Sequence, residues 1–419
     1  VTFKMEVKKP IYCALAFGGL SLIGKNSYTP CCALRPTTTD EWKPIGSSNL
    51  EFAINNKNFT TLRKKLIEGD WPKACQNCKI AEQNTNSSMR TIWNDELKEY
   101  DIPMDIKIDP INVRHLNLTF SNKCNSKCMT CNSNLSNLWA EEEIKLGLML
   151  PTRANTVNPI GHITLIIDER VTHRFVDLFP NVVSIGIVGG EPTVQDEVTE
   201  YLNLLVDAGY NKKIKLSMTT NLTGITDSML ELWSKFKQVH FNLSIDGKGL
   251  VNDYIRYPFK WNRIDRILHK VINIVKNNPT QYTIGLSNTV SLFNAIQTID
   301  LIEYWYDTSS EHDIISGIFF NYVSVPVYTK INLLSLEYRQ SGIDKILKLE
   351  EKIKSNEKNQ HFIEPIQQLK SWLSEEQETD QIIIDDSKYF ITESDKFRNR
   401  HIKDYIPELW EELNRIWNK

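Results

Sequence analysis

The chain has 419 residues, 41% of them hydrophobic, and a formal net charge of only −3 from 49 basic and 52 acidic side chains. That length is enough for a large core and for more than one domain. The near balance of charge leaves no global footprint that would invite a nucleic acid or a strongly anionic surface.

From the amino terminus, the longest apolar run is YCALAFGGLSLIG, Tyr12 to Gly24. It falls short of the roughly 20 residues that cross a bilayer, so no membrane partner is expected. Lys4, Lys8 and Lys9 give the run the outline of a signal peptide, but Glu6 interrupts the basic stretch and no A-x-A-like site follows. A cytoplasmic address is the expectation, and cysteine usage agrees with it. Cys13, Cys31, Cys32, Cys75 and Cys78 form an early group, Cys124, Cys128 and Cys131 a later triplet, and no cysteine follows. Close-spaced cysteines in a large cytosolic chain point to metal binding rather than to disulfides.

From Val113 onward the pattern alternates. VRHLNLTF (113–120) reads as a strand leading into the triplet, and SNLWAEEEIKLGLM (136–149) as a helix with an apolar stripe. Further short, β-branched strands are predicted at 181–190, 213–222, 238–247, 282–290 and 316–325, with amphipathic helices at 197–209, 228–236, 263–277 and 296–306. Such alternation implies an α/β fold with a parallel sheet and crossover helices. Six units favour a barrel or partial barrel, although the pattern alone does not separate it from an open sheet. Residues 150–180 break the rhythm: PTRANTVNPIG reads as a loop and HITLII as an extra strand, an insertion between the first two units. After Pro326 the sequence turns charged and helix-prone (LEYRQSGIDKILKLEEKIKS, PIQQLKSWLSEEQ, PELWEELNRIWNK), as in a packing extension with solvated helix faces.

The triplet has the spacing C-x-x-x-C-x-x-C and sits just past the first strand. Parallel α/β barrels carry their ligand-binding residues at that rim. One short loop can wrap three thiolates around a single inorganic cluster, and thiolates favour iron–sulfur clusters or zinc. Three ligands on a four-iron cluster leave one iron open, and an open position binds a substrate or cofactor. On spacing alone, a zinc site completed by a histidine remains the alternative.

The triplet after the first strand resembles the signature of the radical S-adenosylmethionine (radical SAM) enzymes. The resemblance implies a partial (β/α)6 TIM-like barrel and a four-iron four-sulfur (4Fe-4S) cluster on Cys124, Cys128 and Cys131, whose open iron chelates the amino and carboxylate groups of S-adenosylmethionine. IVGGEP is similar to the family's GGEP motif, which implies that Gly189 and Gly190 let backbone approach the cofactor and that Glu191 receives its amino group. SIDG resembles the ribose-binding element, with Ser244 and Asp246 offered to hydroxyls. Arg256, in NDYIR, matches the arginine that pairs with the methionine carboxylate in the peptide-modifying branch. Thr220, Asn221 and Asn288 lie at strand ends where the family lines the cofactor pocket. In one departure, Thr130 stands where the family often has an aromatic residue beside the adenine. The likeness spans about residues 113 to 325.

The early group (Cys13, then PCC, LRKKLIEGDWP, CQNC and SSMR) resembles the auxiliary-cluster domains called SPASM and twitch, which usually follow the barrel rather than precede it. That likeness implies a second, auxiliary 4Fe-4S cluster on Cys13, Cys31, Cys75 and Cys78, with Cys32 the neighbouring candidate and otherwise a buried structural thiol. Zinc on these cysteines is the alternative.

The expected organisation is therefore a cysteine-rich SPASM/twitch-like module over 1–110, a partial barrel over 111–325 and a helical extension over 326–419. The resemblance implies an enzyme of oxidoreductase type that cleaves S-adenosylmethionine reductively and uses the 5′-deoxyadenosyl radical to abstract hydrogen from a substrate. An auxiliary cluster near the barrel mouth would accept an electron from the substrate radical or bind the substrate. A peptide or protein is the favoured substrate, with flavodoxin or ferredoxin as reductant. A small metabolite such as a sugar or nucleotide is the alternative within the class, and a zinc-stabilised binding protein the alternative outside it.

Overall fold

The computed structural model describes residues 8–24, 27–34, 45–46, 49–85, 87–147, 175–314, 316–323, 325–355, 357–376 and 379–418. The loop PTRANTVNPIG and the strand HITLII expected in the insertion lie outside the described residues.

One nine-stranded sheet runs in the order β3-β2-β1-β4-β5-β6-β7-β8-β9. Its members are β1 Gly19–Gly24, β2 Ser27–Thr29, β3 Ile45–Gly46, β4 His115–Thr119, β5 Ser184–Val188, β6 Lys215–Thr220, β7 Gln238–Ser244, β8 Tyr282–Val290 and β9 Ser316–Tyr322. From β4 to β9 every neighbouring pair is parallel and in chain order. This is the six-unit arrangement that the alternation predicts. The sheet has nine strands rather than six because the amino-terminal segment joins it: β1 pairs parallel with β4, and β2 and β3 continue antiparallel beyond. The apolar run from Tyr12 thus becomes helix α1 (Ala14–Gly18) and strand β1.

Helices follow where the apolar spacing and caps place them. In the amino-terminal part they are α2 (Leu50–Ile54), α3 (Lys57–Ile67), α4 (Gln76–Thr85) and α5 (Met89–Glu96). Asn56 caps α3 by accepting from the Asn58 and Phe59 amides, and Ser88 forms a capping box with Thr91 on α5. In the barrel come α6 (Trp139–Lys145), α7 (Asp196–Asp207), α8 (Asp227–Trp233), α9 (Leu250–Ile255), α10 (Trp261–Asn277) and α11 (Gln297–His312). Helix α10 shows the logic: Ile264, Leu268, Val271, Ile272 and Val275 recur at helical spacing and are all buried. Beyond the barrel lie α12 (Leu336–Lys354), α13 (Ile363–Ser374), α14 (Gln381–Phe397) and α15 (Pro407–Trp417). Three of these match predicted segments; α14 does not.

A single hydrophobic cluster extends from Ala14 through the strands to Leu413, so the amino-terminal and carboxyl-terminal segments share the barrel's core. Among the described residues no helix is long and apolar enough to cross a membrane.

Candidate active site at the strand ends

The cysteine loop leaves the carboxyl end of β4 and is fixed by its own polar residues. The Cys124 amide donates to Asn137 Oδ1 at 2.9 Å, and Asn122 Nδ2 to the Ser133 carbonyl at 2.9 Å. Trp139 Nε1 donates to the Cys128 carbonyl at 3.0 Å, and Ser136 Oγ to the Ser126 carbonyl at 2.7 Å. On its other side the loop runs along residues 255–257, with the Met129 amide on Ile255 O and the Lys127 amide on Tyr257 O. Ser126 Oγ lies 3.5 Å from both Cys124 Sγ and Cys128 Sγ, so two of the three thiols share one hydroxyl. Burial, and after it the neighbouring thiolates, push Cys124 and Cys131 above the usual thiol pKa. Only a cation or a metal centre would favour all three as thiolates in so small a space.

Gly189 and Gly190 close the rim above β5, with φ of +87° and +55°. A Cβ on Gly189 would stand 2.2 Å from Thr119 Cγ2, and one on Gly190 2.3 Å from the Lys123 carbonyl oxygen. These glycines let the turn approach β4 and the cysteine loop, a packing reason beside the expected approach to a cofactor. Gln195, which the sequence reading missed, seals this junction by donating to Lys123 O at 3.1 Å and Gly189 O at 2.9 Å.

Glu191 does not offer a free carboxylate. Its Oε1 accepts from the Thr193 amide at 3.1 Å, Thr193 Oγ1 at 2.7 Å and Thr220 Oγ1 at 2.7 Å, and its Oε2 from the Asn221 amide at 2.6 Å. The side chain expected to receive the cofactor's amino group ties the turn after β5 to the end of β6. Burial raises its pKa and these donors oppose the rise. Asn221 continues the lattice, donating from Nδ2 to Asn125 Oδ1 at 2.8 Å, and Asn125 Nδ2 donates to Thr223 Oγ1 at 2.9 Å. Thr220 and Asn221 are buried strand-end residues, as expected of a pocket lining, but their polar atoms are engaged within the chain.

Asp246 and Arg256, expected to meet ribose and carboxylate respectively, meet each other: Arg256 Nε stands 2.6 Å from Asp246 Oδ2. Asp246 Oδ1 also accepts from the Thr289 amide at 2.8 Å. Burial works against the guanidinium's charge, but Asp246 and the thiols of Cys128 and Cys131 outweigh it and hold the Arg256 pKa above the usual arginine value. Arg256 therefore does lie beside the triplet. Asn288 is fully buried; it donates to Ile245 O at 3.0 Å and accepts from Thr298 Oγ1 at 3.3 Å, so it braces β7 against β8 rather than facing a pocket. Ser244 ends β7 half-buried, opposite Ser287 in the ladder.

The early cysteines form a second site. Cys13, Cys31, Cys75 and Cys78 line one cavity together with Leu66, Trp71, Met89 and Arg90. Burial and the neighbouring thiols push Cys13 up to about 11 and Cys75 up to about 12, and Cys31 well above the usual thiol value. Arg90, in the SSMR segment, pairs with Glu82 at 2.5 Å and donates to the Tyr12 carbonyl, which anchors the turn that carries Cys13. Cys32 is exposed rather than buried and is not among the residues that line that cavity. Around neither set do three His, Cys, Asp or Glu side chains close on a single metal ion among the described residues.

This cavity is not at the barrel mouth, where the sequence reading placed an auxiliary centre. Ser21 pairs with Thr29, so Cys31 falls level with the start of β1, and Gly19 pairs with His115 at the start of β4. The triplet follows the opposite end of β4. The two cysteine sets thus lie beyond opposite ends of the strands, with a five-residue strand, on the order of 15 Å long, between those ends.

Residues 118–300 match the model of the Radical SAM superfamily. No curated protein matches the chain. Among solved structures it is similar to SuiB of Streptococcus suis bound to S-adenosylmethionine (18% identity, 75% of this chain and 64% of that one, TM-score 0.36). It is also similar to SuiB bound to precursor peptide SuiA (18%, 71% and 63%, 0.37) and to anSMEcpe with bound AdoMet (19%, 52% and 52%, 0.36). The chain spans less than two thirds of the length of each of these neighbours. The matched stretch, residues 118–300, holds the cysteine triplet, the glycine turn and the Asp246–Arg256 pair on one rim, and over that stretch the chain is similar to the Radical SAM superfamily.

Proposed function

We propose that the enzyme holds a 4Fe-4S cluster on Cys124, Cys128 and Cys131, binds S-adenosylmethionine at the open iron beside Arg256, and abstracts hydrogen from a peptidyl substrate. The family implies both groups, and the residues fit them: three thiols gathered in one loop with a guanidinium at their side. When bound, the cluster and S-adenosylmethionine would supply an electron, methionine and a 5′-deoxyadenosyl radical. The chain's own part is to hold the loop, to keep Arg256 charged against Asp246, and to keep water from the rim through the packed strand ends.

We further assign the amino-terminal module as SPASM/twitch-like, with a second 4Fe-4S cluster on Cys13, Cys31, Cys75 and Cys78. The observation that carries this reading is that four cysteines from three separate places in the chain line one cavity. Its place at the far end of the strands favours electron transfer over direct contact with a substrate at the rim. A peptide or protein substrate rests on the association of such modules with peptide modification, a fold-level analogy. A flavodoxin or ferredoxin as reductant and a cytoplasmic address belong to the same reading.

Anaerobic reconstitution tests it. The chain should take up iron and acid-labile sulfide for two clusters and release 5′-deoxyadenosine with a strong reductant. Replacing Cys124, Cys128 and Cys131 with Ala should remove about half the iron and all of that release. Replacing Cys13, Cys31, Cys75 and Cys78 should spare the release, while Cys32→Ala should lose little iron. Zinc without sulfide on the early cysteines would make that module a structural clamp, and release that survived the triplet variant would sink the assignment of the rim.

A further inference from the structure

We infer that the segment after α14, through Arg398 and Arg400, is part of the apparatus that holds and tunes the cysteine loop. This rests on the reading that the triplet binds an iron–sulfur cluster. Both arginines lie outside the residues that match the family.

The geometry centres on Met129, which follows Cys128 in the stretch between two of the cysteines and is fully buried. Its sulfur accepts from two guanidinium groups, Arg398 Nη1 at 3.1 Å and Arg400 Nη2 at 3.1 Å. A thioether is a weak acceptor, so two cations on one sulfur are placed there by their other contacts. Arg398 is held by Glu142 Oε1 at 2.8 Å, and Lys127 of the cysteine loop sits 3.1 Å from the other oxygen of the same carboxylate. Arg400 donates to the Tyr254 carbonyl at 2.7 Å and pairs with Asp395 at 3.3 Å. Both guanidiniums pack on aromatic faces, Arg398 over Trp139 at 4.8 Å and Arg400 over Tyr254 at 4.0 Å. Trp139 itself donates to the Cys128 carbonyl.

Two consequences follow for a cluster on these thiolates. The loop between two ligands is clamped from below, so the ligands keep their spacing without the metal. Arg398, Arg400 and Lys127 outnumber the carboxylates they pair with, Glu142 and Asp395, by one, and that excess of positive charge under the ligand loop favours the more negative, reduced cluster and raises its reduction potential. Arg398 and Arg400 touch neither the thiols nor a reacting atom and are positioning residues.

The test uses the full chain in two preparations. Without iron, alkylation of Cys128 and Cys131 by iodoacetamide is timed and read by mass spectrometry. Met129→Leu, which keeps the core volume, and Arg400→Gln should each speed it several-fold. With clusters, the midpoint potential is taken from the EPR signal that S-adenosylmethionine perturbs, which separates the triplet's cluster from any other. Arg398→Gln and Arg400→Gln should lower it, and Arg400→Lys, which keeps the charge, should restore most of the loss. A merely structural role would reduce cluster content but leave the potential of the retained cluster and the Lys rescue unmoved. Unchanged alkylation rates would overturn the clamp, and unchanged potentials the tuning. A wild-type chain with no signal responsive to S-adenosylmethionine would refute the triplet cluster itself, while the alkylation result would still decide the clamp.

Discussion

At the scale of single residues, the rim is a set of polar side chains turned on one another, although Gln195 Oε1 finds no hydrogen-bond partner among the described residues. Asp246 is fully buried and Arg256 nearly so, and each is the other's counter-ion. Removing one partner of a buried pair leaves a charge without compensation. Asp246→Ala should therefore lower the unfolding free energy of the iron-free chain by about 3–5 kcal/mol in urea titration. Asp246→Asn, which keeps an acceptor for the Thr289 amide, should cost less. A loss below about 1 kcal/mol for Asp246→Ala would show that the pair is not what orders this edge. Glu191→Gln should lower stability by about 1–3 kcal/mol as well as any cofactor affinity, because four donors converge on that carboxylate. None of this pairing was legible in the sequence. A motif names a side chain and a strand end, but the donor to Asp246 lies 43 residues away on another strand. The cysteine loop was legible because three closely spaced cysteines directly follow a strand-like run.

At the scale of elements, the six barrel strands were readable for a physical reason. Strands covered on both faces, such as Ser184–Val188 and Tyr282–Val290, are short runs with almost no exposed position. The strands β2 and β3, of three and two residues, are too brief to show a period, and β1 was hidden inside an apolar run that also forms α1. Helix α14 escaped because its apolar start is part of its exposed side: Ile382 is 67% exposed. The glycine turn gives a prediction at this scale. Gly190→Ala meets a backbone carbonyl and cannot be relieved by a second substitution, whereas Gly189→Ala meets chiefly the Thr119 methyl. Thr119→Ser should thus recover part of the melting temperature lost in Gly189→Ala and none of that lost in Gly190→Ala. Equal recovery in both would refute the contact.

At the scale of the whole molecule, two buried histidines tie the barrel's stability to pH. His115 lies against Trp93 with its Nδ1 3.1 Å from Ser184 Oγ, and burial lowers its pKa from 6.5 to about 3; His240 is lowered to about 4 for the same reason. Between those values and 6.5 the unfolded chain binds more protons than the native one, so stability rises with pH through the window and is lost as pH falls below 6.5. His115→Gln should flatten that acid slope, by on the order of 3 kcal/mol at its foot, in unfolding curves taken from pH 7 to pH 4. A variant with the wild-type slope would exclude His115 as the source.

The continuity of the sheet across both cysteine sets has one more consequence. Because β1 and β4 are neighbours running the same way, the distance between the two sites is set by the length of a strand and not by a linker. With a metal centre at each end, the molecule has polarity: charge would arrive on one face, cross the packed interior over a fixed interval, and leave on the other. An electron taken from a substrate at the rim would then leave on the opposite face, and the order of events would be built into the direction of the strands.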